Sequence, residues 1–231
     1  MKIRRILFLG IAIIITVCNL TSCKKLLGLE KQSNWDFEPH VLDPHINKTA
    51  WEFLTERAHG PAPEDSVFNL MYEGILYAGI DTNLYKENGK TFILLHNDAI
   101  SRLTNDQIAV DCYFGYHLNP STGLPGTKWE DYPRDSVKNW LLYLIADGEY
   151  NFGTVGPTPV ETTTLMPKGA DQNNPESKIL FSVVNDQNMK FSINDFVGSL
   201  RATQARTAGI VSTNGPVHVV DRVVDYVTNN E

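Results

Sequence analysis

The stretch TAGIVSTNGPVHVVDRVVDY, residues 207–226, decides how the rest of the chain is read. A turn at Asn214-Gly215-Pro216 runs into an apolar strand pattern that carries one histidine, His218, and one aspartate, Asp221. Side chains alternate along a strand, so His218 and Val220 share one face while Val217, Val219 and Asp221 share the other. A catalytic His-Asp dyad is not expected from that spacing. The two polar residues read instead as structural pins, with His218, and His117 likewise, a buried donor or acceptor joining strand to helix whose partner is Tyr116 or a backbone carbonyl.

Working back from this stretch, 162–167 (TTTLMP), 178–184 (KILFSVV) and 189–195 (MKFSIND) carry strand patterns separated by turns. The first half of the chain is richer in helix signals. Residues 47–58 predict a helix carrying Trp51, Phe53 and Leu54. Residues 63–79 predict a second, with Pro63, Glu64 and Asp65 at its start, Val67, Leu70, Met71, Ile75 and Ala78 at helical spacing, and Gly79 at its stop. Residues 136–148 predict a third, from a serine start to a glycine stop. TFILLHND (91–98) reads as a buried strand, AISRLTNDQ (99–107) as a helix start, and IAVDCYFGYHL (108–118) as another strand. Helices lead, strands dominate the second half, and no segment repeats. The expected class is α+β, one domain over 47–231, with β-sheets packed with helices.

The 231 residues are 42% hydrophobic and 20% charged, enough for one domain with a substantial core. The net charge of −7 argues against a nucleic-acid partner, which needs a basic face. The N-terminus pairs Lys2, Arg4 and Arg5 with the apolar run Ile6–Val17, the pattern of an export signal and too short for a spanning helix. It ends Leu20-Thr21-Ser22-Cys23, which resembles the bacterial lipobox. Residues 1–22 are therefore expected to be a lipoprotein signal peptide, Cys23 the lipid-attachment residue, and 23–46 a tether. Cleavage removes three basic residues and no acid, taking the charge from −7 to −10. Anionic lipid should repel such a body, so the acyl chains are expected to hold it at the outer membrane of a bacterial cell envelope. Cys18 leaves with the signal, and Cys112 remains as a buried thiol within an apolar run.

Several fragments, in order, resemble the fasciclin domain. Thr91, Asn97, Asp98, Ala99 and Ile100 match that family's T-x5-N-[DE]-A-[FI] block, Tyr116-His117 its Tyr-His pair, and Asn214, Gly215, Val217, His218, Val219, Val220 and Asp221 its N-G-x-[IV]-H-V-[IV]-D block. Leu94-Leu95-His96 stand where the family has Ala-Pro-Thr, and Pro216 where it has an aliphatic residue. The resemblance spans residues 47–227. It implies a compact fold of sheets packed with helices and an adhesion or binding role at the cell surface, without catalytic machinery or cofactor, and with the motif residues serving structure.

Competing chemistry is thin. Gly89-Lys90-Thr91 ends like a phosphate-binding loop, but Leu84 occupies the position of the required earlier glycine. No nucleophile elbow, H-E-x-x-H helix or C-x-x-C pair is present. The cluster Glu38, His40, Asp43 and His45 has metal-ligand chemistry but no rigid element to fix it, so no metal is expected there. Trp129, Tyr132 and Trp140 lie in or beside a turn-rich loop, and exposed aromatics there would suit sugar stacking, with core packing the alternative for Trp140. Two roles follow: a non-enzymatic, membrane-anchored adhesion or ligand-binding lipoprotein with a protein or glycan partner, or an accessory glycan- or nutrient-binding lipoprotein of an uptake system.

Overall fold

The computed structural model describes residues 43–184 and 189–228. The expected lipobox, Cys23, Glu38 and His40 lie outside them.

The order of elements begins with helix α1 (Ala50–Ala58), a 3-10 turn (Pro63–Asp65), α2 (Asn69–Ala78) and a second 3-10 turn (Thr82–Lys86). Strand β1 (Lys90–Leu95), α3 (Asn97–Ile100), the short β2 (Leu103–Thr104) and β3 (Gln107–Ile108), and α4 (Tyr113–Tyr116) follow. A third 3-10 turn (Trp129–Asp131) leads into α5 (Arg134–Tyr143) and β4 (Ile145–Asp147). The remaining strands are β5 (Val160–Thr163), β6 (Lys178–Val183), β7 (Phe191–Ile193), β8 (Thr203–Gln204), β9 (Thr207–Ser212) and β10 (Gly215–Val220).

Among the described residues the strands form a sheet of order β4-β1-β10-β9, a second of order β5-β6-β7-β8, and the small β2-β3 hairpin. The class is α+β, with sheets packed against helices. β1 and β10 pair in parallel at the centre of the first sheet, Phe92 with Val217 through Leu95 with Val220. Thr91 to Leu95 and all of β10 are buried, which is why both strands read as near-continuous apolar runs. β9 is the edge strand, and residues 44–46 cover it. The Val211 N–H donates to the Pro44 carbonyl at 2.9 Å and its carbonyl accepts from Ile46 at 3.0 Å. Pro216 lies opposite Val211. With both Val211 backbone groups turned outward, Pro216 is asked for no N–H toward β9, which is how a proline is tolerated here.

Several local expectations shift. Residues 63–79 form a 3-10 turn and then a separate helix from Asn69. The Phe68 N–H donates to Arg57 O and the Ser66 carbonyl accepts from the Asn97 amide, so tertiary bonds replace the helical ladder there. Residues 99–107 give only the end of α3 and then a hairpin, because Asn105 (φ 52°) and Asp106 (φ 60°) adopt the left-handed turn their side chains favour. Residues 108–118 contain the helical turn Tyr113–Tyr116 rather than a long strand, with Cys112 buried before it and its Sγ against Ala109 O at 3.0 Å. The helix read over 136–148 occupies Arg134–Tyr143 instead, and Ile145–Asp147 is drawn out as β4 to pair with β1.

Candidate functional site

The motif residues divide by environment. In the core of the first sheet, His218 is fully buried, its ring stacked on Phe191 with centroids 3.9 Å apart and planes 14° apart. Its Nε2 lies 2.8 Å from the Tyr150 carbonyl, which can only accept, and its Nδ1 accepts from the Gly209 N–H at 3.3 Å. One nitrogen donates and the other accepts, so the neutral tautomer is defined. Burial pulls its pKa down to about 4, against the opposing pull of the Tyr150 carbonyl. Asp221 lies past the end of β10 and faces Arg222 (3.2 Å) and Arg206 (3.9 Å), while both nitrogens of His218 are already engaged.

Asn214 is buried and bonded in every direction. Its Oδ1 accepts from Ala50 N–H (2.9 Å) and the Ser212 hydroxyl (3.1 Å), and its Nδ2 donates to the carbonyls of Tyr85 (3.1 Å) and Glu87 (3.0 Å). One side chain thus ties the β9–β10 turn to the start of α1 and to the segment leading into β1. Gly215 follows with φ 145°, and a Cβ there would run into the carbonyl oxygen of Lys90. Asn97 performs a similar task at α2, accepting from Leu70 N–H (3.2 Å) and donating to Ser66 O (2.9 Å) and Asn69 Oδ1 (2.6 Å). Asp98 is partly exposed and pairs with His96 (3.1 Å) and Arg206 (3.4 Å).

His117 belongs to a different place, a surface cleft of about 490 Å³. α5 supplies Ser136, Asn139, Trp140 and Tyr143, spaced to fall on one helix face. The β5–β6 loop adds Met166 and Asp171-Gln172-Asn173, and the segment after β10 adds Asp225. This frame is held from behind. Buried Asn194, at φ 56°, donates to the Tyr143 hydroxyl and to the Asp225 carbonyl, both at 2.8 Å, and accepts from Leu180 N–H at 3.1 Å. Asn174 braces the loop by exchanging bonds with the Lys178 backbone, each 2.8 Å. Burial, assisted by the Arg201 charge, lowers the His117 pKa to about 4, and its buried Nε2 has no hydrogen-bond partner. Burial also raises the Asp225 carboxyl pKa. Tyr116 has its ring under the Arg201 guanidinium at 4.0 Å and its hydroxyl hydrogen-bonded to the Asp225 carboxyl.

The aromatics expected to stack on a sugar are placed otherwise. Trp129 is 4% exposed, donates from Nε1 to Leu70 O (2.8 Å) and lies against Gly74, where a Cβ would meet it at 2.8 Å. Tyr132 is 4% exposed, its hydroxyl donating to Phe114 O and accepting from Gly126 N–H, both at 2.9 Å. Each ring fills the space beneath the loop, so neither offers a face to a ligand. Asp43 and His45 pair with each other at 2.7 Å, and among the described residues no group of three or more His, Cys, Asp or Glu is placed to hold a metal ion. The cleft residues Asn139, Asp171, Gln172, Asn173 and Asp225 were not singled out by sequence. The polar run DQNN at 171–174 is a signal that could have pointed there, beside His117 and Trp140, which the sequence does single out.

No family model and no curated protein matches the sequence. Among solved structures, a FAS1 domain pair from the insect cell adhesion molecule fasciclin I is similar, with 15% sequence identity and a TM-score of 0.45 over 70% of this chain. The match covers 46% of that chain, so this protein spans about half its length.

Proposed function

We propose that the chain is a non-enzymatic lipoprotein, anchored through lipid on Cys23 to a bacterial envelope membrane, whose fasciclin-like domain serves adhesion or ligand binding. The observation that carries the reading is the way the motif residues are used. Asn97, Asn214 and His218 spend their polar atoms on internal backbone groups, which suits a scaffold rather than a reaction centre. The sequence Leu20-Thr21-Ser22-Cys23 after a charged and apolar start supports the anchor.

The test is to produce the full chain in a bacterium and follow it into membranes, with intact mass on the extracted protein. The expected result is a membrane form carrying acyl mass on Cys23, with Cys23→Ala released or unprocessed. Cells displaying the anchored protein should aggregate or adhere more than cells making Cys23→Ala. A mature membrane form without acyl mass at Cys23, or turnover of ester, glycoside, peptide or phosphate substrates by the purified chain, sinks the reading.

A further inference from the structure

The cleft has a composition that narrows what can occupy it. Its lining contains no lysine or arginine, and the nearby Arg201 guanidinium is held over the Tyr116 ring, so an anionic ligand finds no side-chain cation in the lining itself. Its ligating side chains do not meet the geometry for a metal, as the described residues hold no such cluster. What it does present is a mixture of groups able both to donate and to accept. The amides of Asn139, Gln172 and Asn173 offer both roles, the carboxylates of Asp171 and Asp225 accept, and the Ser136 hydroxyl does either. Trp140 and Met166 lie beneath them, buried in the core, with the Trp140 Nε1–H donating to Val224 O at 2.8 Å. The buried His117 Nε2 without a partner is the unusual element, since buried polar atoms are nearly always paired.

We infer that this cleft binds the end of a neutral, polyhydroxylated ligand, a glycan, through the amides of Asn139, Gln172 and Asn173 and the carboxylate of Asp171. Each sugar hydroxyl is at once donor and acceptor, which matches amides and carboxylates side by side. A cleft of about 490 Å³ lies within the ~300–1,000 Å³ usual for small-molecule sites. The frame is set before binding, because Asn194 and Asn174 hold α5, the loop and the Asp225 segment from behind. An organic cation is the competing occupant. The Asp171 and Asp225 carboxylates are what would attract one. This deepens the binding reading above and rests on it, while moving any sugar contact away from Trp129 and Tyr132.

The experiment uses the full chain in detergent on an array of neutral hexose and N-acetylhexosamine oligosaccharides, uronic-acid oligosaccharides and oligosaccharides bearing free amines. The expected result is retention of neutral glycans. It should weaken at least about tenfold in Asn139→Ala/Gln172→Ala/Asn173→Ala, as expected for loss of several hydrogen bonds. Gln172 and Asn173 are exposed and Asn139 half-buried, so the variant should melt like wild type. Arg57→Ala, in a separate groove beside Phe53 and Phe68, should leave binding unchanged. Retention of amine-bearing or uronic glycans alone overturns the assignment. So does neutral-glycan binding that survives the triple variant, and so does no retention at all. Membrane attachment is read separately: glycan binding lost with the acylated membrane form intact overturns only the cleft, and a chain that binds glycan but carries no lipid overturns only the anchor.

Discussion

His218 and His117 have one thing in common and differ in another. Burial brings both imidazoles to a pKa of about 4, so both are neutral at physiological pH. Around His218 every polar atom is answered: Tyr150 O takes the Nε2 proton, Gly209 N–H reaches Nδ1, and Phe191 covers the ring face. Around His117 the rings of Tyr113 and Tyr116 press close, at 4.5 and 4.7 Å, yet Nε2 is left without a partner beside an open cleft. A depressed histidine pKa therefore does not by itself mark a functional group. The hydrogen-bond account separates the fully satisfied ring from the one beside the cleft.

The comparison breaks first on the β10 side. Gly215→Ala must place a Cβ into the Lys90 carbonyl at φ 145°, with no room for the parallel pairing that follows. The expected cost is about 4 kcal/mol or more, read as little folded protein at 37 °C. Full recovery of a wild-type melt would show that β1 and β10 do not seat as described.

Next in size is His218→Ala, which leaves a cavity against Phe191 and an unpaired Tyr150 carbonyl. It should cost about 3 kcal/mol, a fall in melting temperature of roughly 6–12 °C. A melt equal to wild type would remove the structural role and send the search for a ligand back to β10.

The third measurement sharpens the likeness between the rings. Both have folded pKa values of about 4, below the unfolded value of about 6.5. The unfolded chain takes up these protons first, so stability is full above pH ~6.5 and is lost as pH falls toward 4. By pH 5 each ring should have cost about 2 kcal/mol. Chemical denaturation across pH 7.5 to 5 measures the slope, and His117→Gln should flatten it by about half with little change at pH 7.5. An unchanged slope in that variant would mean that His117 is solvated and charged on the same terms folded and unfolded.

The smallest effect is expected at Tyr116. Its ring lies under Arg201, and its hydroxyl bonds to the Asp225 carboxyl rather than to either nitrogen of His218, so the substitution removes one hydrogen bond and no core packing. Tyr116→Phe should change stability by less than about 1 kcal/mol. A fall as large as that of His218→Ala would tie the two regions into one network and end the distinction drawn here.

What the sequence determined by itself was whatever local chemistry repeats along the chain. The apolar runs of β1 and β10 could only be buried strands, and the helical spacing of Leu70, Met71, Ile75 and Ala78 could only pack inward. The Asn-Gly turn before His218 was legible because few residues suit it. Tertiary structure decided where the pattern was ambiguous between periods or depended on distant partners. Ile145–Asp147 continues a helical run by composition, yet the open edge of β1 claims it as a strand. Trp129 and Tyr132 sit in a polar, turn-rich loop, and only Leu70, Gly74 and Phe114, brought from elsewhere, show that their rings are core. The cleft was the least legible of all. Its residues come from the end of α4, α5, the β5–β6 loop and the segment after β10, and no local rule relates side chains that meet only after four separate backbones have been packed together.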